Sequence, residues 1–337
     1  MDAQKLESLP PPPGVIGSLR AGFDAVASHV WLIILPLVLD IFLWLGPRLS
    51  VDGLLRPFVR YMFLQARRGV EASELDRFLE TQTSLLEILQ DFNLLSLISK
   101  FRMFPIGISS LLAQTMPVET PLGEQSVVQI SSVPILIVIV FILTMIGWLV
   151  GALYFHWVSG TTLGPEESGI SLLRAILQTF ILSICWLVGL LIILLPIMFI
   201  LTLLAFISPL LASAAIFVIL LLSFWLIVPL FFVPHGIFAR RQNAFYSALT
   251  SLRLARFTFP TSGMFVISVL ILSQGLNYLW KVPPSDSWMT LVGIAGHAFI
   301  TTAILAASFV YYRDMNVWLQ TVFEKWQKTR TAPTQRA

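Results

Sequence analysis

"LIILLPIMFILTLLAFISPLLASAAIFVILLL", residues 191 to 222, contains no charged side chain. It lies inside a longer run, 175 to 239, that has no Asp, Glu, Lys or Arg. A bilayer core of about 30 Å is crossed by about 20 apolar residues of helix, so this run is long enough to cross twice. Two prolines offer places to divide it. Pro196 can merely kink a helix, whereas Ser208-Pro209 puts a residue biased away from helix near the middle of the run. A break at 207–209 leaves two spans of comfortable length, and three spans would leave almost nothing for turns.

The rest of the chain has the same character. Hydrophobic residues make up 57% of 337 positions and charged residues only 12%. A soluble chain carries about 25% charged residues, so this one cannot cover itself with a polar surface. Further charge-free runs occupy 125–165, 257–280 and 287–312. The spans fall near 27–47, 133–156, 178–206, 209–233, 258–280 and 288–312, six in all. Arg240, Arg241, Arg253 and Arg256 stand between spans four and five with no acid among them. Arg313, Lys325, Lys328, Arg330 and Arg336 follow span six. The positive-inside rule makes both segments cytosolic, which puts both termini in the cytosol of a cell whose cytoplasmic (plasma) membrane holds the chain.

The net charge of +3 therefore sets orientation and does not point to nucleic acid. The single cysteine, Cys185, lies in a span and excludes an intrachain disulfide framework. "MDAQKLESLPPPPG" is neither a signal nor a transit peptide, so the first span acts as its own uncleaved signal. The expected organisation is a disordered Pro-rich cytosolic tail (1–16), an interfacial elbow with span one (17–47), an external helical insertion (48–131), spans two to six (132–313) and a cytosolic amphipathic tail (314–337). The fold class is an all-α polytopic bundle of three hairpins with an external α-helical cap. In that cap Ser73 is a candidate N-cap for a helix with Leu75, Phe78, Leu79, Leu85, Leu86 and Leu89 at helical spacing. Leu54, Phe58, Met62 and Phe63 suggest a helix before Gly69, and "FNLLSLISKF" (92–101) a further apolar stretch.

"SLRA" (18–21), "SLLRA" (171–175) and "SLRLA" (251–255) each precede an outward-going span. Each belongs to a short amphipathic stretch of the kind that lies in the interface with its arginine, Arg20, Arg174 or Arg253, toward the headgroups. Chance matches and generic basic lead-ins are the alternative to a threefold repeat of elbow, span out and span back. This pattern, and above all "NAFYSALTSLRLARFTFPTSGMFVISVLIL" (243–272), resembles the membrane domains associated with bacterial glycerophosphodiester phosphodiesterases and related multi-pass families. The resemblance covers the last half of the chain and implies a fold and a membrane-partner role. The phosphodiesterase chemistry of those proteins belongs to a separate soluble domain, and the long insertion after span one departs from their pattern.

Catalytic signatures are missing: no H-E-x-x-H, no G-x-S-x-G and no Walker A lysine occurs. No catalytic residue, metal ligand set or cofactor is assigned. His29, His156, His235 and His297 are scattered, and three of them fall at cytosolic span ends, where snorkelling explains them. A site built from His29, His156 and His235 would lack a nearby carboxylate or cysteine. Glu166-Glu167 read as acidic dressing of a helix N-terminus. Gly147 and Gly151 in "GWLVG" form a close-packing face for the bundle, for a membrane-protein partner or for a second copy. Trp44, Trp157, Trp280 and Trp288 read as interfacial anchors, and "WLQTVFEKWQK" (318–328) as a membrane-lying helix.

One charge interrupts span one. Asp40 sits in "LPLVLDIFLWLG" (35–46), at a depth shared with Gln274, Asn277 and His297. A charge near the bilayer centre costs about 2.5–3.5 kcal/mol on insertion scales, so Asp40 should face inward and meet His297 or Gln274. That cluster is either a substrate or proton site or a set of interhelical hydrogen bonds that fixes packing. The leading functional reading is a non-enzymatic membrane scaffold or partner subunit in the lipid bilayer. The alternative is a small transporter or lipid-handling protein that uses Asp40.

Overall fold

A computed structural model describes residues 11–99, 105–164 and 170–331. Residues 1–10 of the expected tail, Phe101, Glu166-Glu167 and Arg336 lie outside the described residues. The chain is all-helical in class: α1 (Val15–Ser28), α2 (Ile34–Leu45), α3 (Asp52–Ala66), α4 (Leu75–Asp91), α5 (Val133–Leu163), α6 (Leu172–Ile207), α7 (Pro209–Arg240), α8 (Ala244–Trp280) and α9 (Thr290–Thr331). Four of these, α5, α6, α8 and α9, are long and apolar enough to cross a membrane. Two bent pairs, Val15–Ser28 with Val30–Leu45 (96°) and Pro209–Ser223 with Trp225–Arg240 (41°), bring the count to six if each pair is one span. The division of the opening stretch falls at Ser208, which is extended (φ −163°, ψ 126°) between α6 and α7. Pro209 at the first position of α7 is where a missing N–H costs nothing.

The chain divides into two compact units. One comprises residues 33–154 and 275–299. Here the insertion forms α3 and α4 as expected, but its described residues beyond Asp91 form no further α-helix, only the 3-10 segments Leu94–Ile98 and Leu112–Gln114 and short strands. Strand β1 (Arg48–Ser50) pairs in parallel with β4 (Val127–Gln129), and β2 (Glu119–Thr120) forms a small hairpin with β3 (Gly123–Glu124). Ser73 is not the cap of α4; it lies in a 3-10 turn, Ala72–Glu74, and Glu74 occupies the N-cap position without a side-chain bond. Residues 106–108 and 110–112 are buried, although no helix or strand longer than a 3-10 turn encloses them. They are admitted by glycine. A Cβ on Gly151 would lie 2.8 Å from the Gly107 Cα, and one on Gly147 would lie 3.0 Å from the Ile98 carbonyl oxygen. The Gly147/Gly151 face, expected to serve the bundle, a membrane-protein partner or a second copy, is filled by the chain's own insertion. Trp280 is held in a similar way, its ring over Gly296 and its carbonyl against Gly293.

The other unit comprises residues 1–32, 155–274 and 300–337. α1 lies tightly on α9, where Gly22 meets the backbone of Ala303 and Ala307. α7 and α8 form an antiparallel hairpin stapled by serines one turn apart. Ser247 Oγ donates to the Val233 carbonyl and Ser251 Oγ to that of Pro229. Phe232, Phe265, Phe309, Tyr311 and Tyr312 fill the interior, with the Phe265 and Tyr311 rings stacked at 4.1 Å.

The elbow arginines Arg20, Arg174 and Arg253 are all exposed. The chain bends after the first elbow, by 96° at His29, and after the third, where Thr258 leaves helical geometry (φ −124°, ψ 15°) just before Pro260. After the second it does not bend, since α6 runs unbroken from Leu172. There Arg174 donates instead to the Arg241 carbonyl (2.9 Å), exposed by the left-handed end of α7. The tail also departs from expectation. Trp318 and Trp326 belong to the unbroken α9 rather than to a separate membrane-lying helix.

The glycine contacts give a paired test by thermal unfolding in detergent. Gly151→Ala should destabilise by about 1–3 kcal/mol, because its Cβ meets backbone that cannot swing aside. Gly189→Ala on α6, where no atom lies within 4 Å of the new Cβ, should cost nothing.

Candidate functional site: the buried Asp40 cluster

Asp40 is carried by α2, which enters through the 3-10 turn Val30–Ile33 and has Pro36 in its first turn, where the ring is tolerated. Its side chain is fully buried. The partner is neither His297 nor Gln274 but the irregular segment that follows Gly107. Asp40 accepts a short hydrogen bond from Ser110 Oγ, one from Leu111 N (3.0 Å) and one from Leu112 N (3.1 Å). Ser110 Oγ in turn accepts from Ala113 N (3.0 Å), capping the 3-10 turn Leu112–Gln114. A carboxylate is suited to this position because it is acceptor-only and both oxygens are used.

His297 meets Asn277, another member of the expected cluster, instead of Asp40. His297 Nδ1 lies 2.8 Å from Asn277 Oδ1 and Nε2 lies 3.3 Å from Ser109 Oγ. With the amide oxygen as acceptor, the proton belongs on Nδ1, and Nε2 accepts from the serine. Adjacent serines thus tie one loop to α2 through Asp40 and to α8 and α9 through His297 and Asn277. Gln274 stays out of this cluster: it is exposed and belongs to the other unit. Trp44 is corrected too. It is buried, donates from Nε1 to the Ser285 carbonyl (2.8 Å) and meets Trp288 edge-on. Gln125 Nε2 caps the end of α2 at the carbonyls of Leu43 (2.9 Å) and Trp44 (2.6 Å).

Ser109, His297 and Asn277 stand in the order nucleophile, base and orienting group, which is the geometry of acyl transfer. Two observations weigh against that chemistry. The neighbouring backbone donors of Leu111 and Leu112, the natural place for an oxyanion, are already bound to Asp40. The cavity beside the loop, lined by Ile106, Gly107, Thr144 and Gly147, is about 40 Å³ and has room for little more than a water or two. The cluster closes on itself. In the other unit, His235 Nε2 bonds Ser308 Oγ (2.6 Å) among aromatic rings, and among the described residues no three His, Cys, Asp or Glu side chains gather as a metal site.

The fold and cluster define an all-helical protein with four to six apolar helices of membrane-crossing length and a polar core built from its own loop. No protein-family model, curated protein or solved structure matches the chain. Its function therefore has to be argued from this geometry.

Asp40→Ala should leave the Ser110 hydroxyl and the Leu111 and Leu112 N–H groups buried without an acceptor, at about 1–3 kcal/mol for each donor. Asp40→Asn keeps one acceptor oxygen and turns an amide N–H₂ toward a donor. Unfolding temperatures should therefore fall in the order wild type, Asn, Ala. An Ala variant as stable as wild type would refute the tether.

Proposed function

We propose that the chain is a six-span, non-enzymatic protein of the cytoplasmic membrane that acts as a scaffold or partner subunit. The spans are Val30–Leu45, α5, α6, α7, α8 beyond Thr258, and α9, paired as three hairpins with both termini cytosolic and 48–131 external. One observation carries the partner role. Among the described residues from 184 to 227, in the distal parts of α6 and α7, only Ala212 is buried. This two-helix hairpin offers bare apolar flanks to its surroundings. Lipid satisfies such flanks as well as protein does, so association there is decided by close packing with another membrane helix. The resemblance seen in residues 243–272 implies the same role. The transporter alternative rests on Asp40, whose oxygens are already taken by loop donors.

Photo-reactive residues at Leu195 and Phe217 should give one discrete protein adduct in native membranes, and one at the buried Phe232 should not. Adducts with lipid alone would sink the partner role. Proton or solute flux in proteoliposomes that vanishes in a folded Asp40→Asn variant would revive the transporter. Fluorophosphonate labelling of Ser109 would make the protein an enzyme.

Topology is read separately, in a Cys185→Ser background. Cysteines at Ser73 and Asp286 should react with impermeant reagent from outside intact cells, and one at the exposed Tyr246 only after permeabilisation. Reaction of Tyr246→Cys alone would invert the map.

A further inference from the structure

Neither α3 nor α4 buries a single described residue, although both are amphipathic. They meet through the rings of Phe63 and Phe78, 5.0 Å apart, and between them runs a groove of about 640 Å³. That is the size of sites that hold small amphiphiles. The floor is apolar, with Phe63, Phe78 and Leu79 among its lining. The α3 rim is cationic: Arg56 and Arg60 stand one turn apart, and Arg67 follows on the same face two turns further on.

These arginines are not equivalent. Arg56 is fixed by Asp52 (2.8 Å) and by Gln90 Oε1 (3.1 Å). Arg60 and Arg67 are exposed, and their guanidinium groups make no ion pair or hydrogen bond with any described residue. Arg48, on β1 and outside the groove lining, is buried. Its Nη2 donates to the Gln90 carbonyl (2.8 Å), while Nε and Nη1 find no acceptor among the described residues. The acids of α4 and its lead-in, Glu71, Glu74, Asp76, Glu80, Glu87 and Asp91, balance the charge of the hairpin as a whole, but none of them lines the groove, whose charged lining is Arg56, Arg60 and Arg67.

We propose that this groove seats an anionic phospholipid drawn from the leaflet on its own side of the membrane, its phosphate against Arg60 and Arg67 and its acyl region over the phenylalanine floor. An apolar floor beside unpaired guanidinium groups fits a molecule with one anionic end and one apolar end. The bilayer is the source because the groove is tethered to it. α3 begins seven residues after α2 ends at Leu45, and the insertion returns directly to α5 at Val133. Phe58, Tyr61 and Met62 add exposed apolar surface along the same helix. The inference rests on the spanning reading, which the cysteine map tests independently.

The test uses the full chain with Cys185→Ser and a fluorophore on Leu64→Cys, an exposed position on the groove rim. The protein is reconstituted in vesicles of equal parts phosphatidylcholine and phosphatidylglycerol, with bromine on the acyl chains of one lipid at a time. Brominated phosphatidylglycerol should quench far more than brominated phosphatidylcholine. Arg60→Gln with Arg67→Gln removes two charges worth about fivefold each, so that preference should fall about twenty-five-fold. Both side chains are exposed, so the variant should keep its unfolding temperature. Equal quenching by the two lipids, or a preference that survives the double substitution, would overturn the site. A response to soluble short-chain phosphatidylglycerol without one to the bilayer lipid would overturn the bilayer as its source. Failure here with the cysteine map intact leaves the spanning reading standing, and inversion of the map is a separate failure.

Discussion

Irregular backbone among apolar helices must find its hydrogen-bond partners inside the protein. A buried N–H or C=O left without a partner costs about 1–3 kcal/mol, so non-helical chain packed inside a protein needs protein groups or trapped water to satisfy it. The segment from Ile106 to Leu112 meets this condition through Asp40. One carboxylate serves a hydroxyl and two successive amides, and the hydroxyl passes the support on to Ala113. Remove that acceptor and the loop loses its seat. Gly107 then has no reason to lie on Gly151, and Ser109 no fixed approach to His297. A charge that costs energy to bury is retained because the groups it satisfies would cost more unpaired.

The elements that were legible are those governed by local rules. Uncharged length marks the long helices, and the residue before Pro209 marks the break between α6 and α7 with no tertiary information needed. The bend ahead of Pro260 follows from the same chemistry, with Thr258 Oγ1 reaching back to the Leu254 carbonyl (2.7 Å). The second elbow is not followed by a bend for an equally local reason: nothing between Arg174 and Pro196 interrupts a helix. Asp40 was legible as a residue that must face inward, and its partner was not. Its partners are a serine hydroxyl and two backbone amides, 70 to 72 residues away in sequence, and backbone donors carry no residue-type signature. One signal did exist. Residues 103–118 contain no charge inside an insertion that is otherwise rich in charge, and they place Gly107, Ser109 and Ser110 among apolar neighbours.

Side chains shared between two roles were the other difficulty. Trp44 near a span end looks like an interfacial anchor, because indole suits that boundary. Here its N–H is spent on the Ser285 carbonyl and its ring on Trp288, so it joins α2 to the α8–α9 turn. The glycines at 147 and 151 carry the same ambiguity. Small residues four apart permit close approach, but the spacing does not say what approaches, and here it is the chain's own insertion rather than a second copy.

The distribution of satisfied and unsatisfied groups then separates core from surface. In the Asp40 cluster, carboxylate, serines, imidazole and amide are matched donor to acceptor, which rigidifies a core. The unspent capacity lies elsewhere, in the guanidinium groups along α3 and the bare flanks of α6 and α7. Those flanks are apolar and need a partner only for packing. The arginines are charged and need an anion. An unpaired guanidinium in water loses little, so the positions of Arg60 and Arg67 say nothing about stability. Set above an apolar groove, on a hairpin that buries none of its own residues, they acquire meaning only through what comes to lie against them.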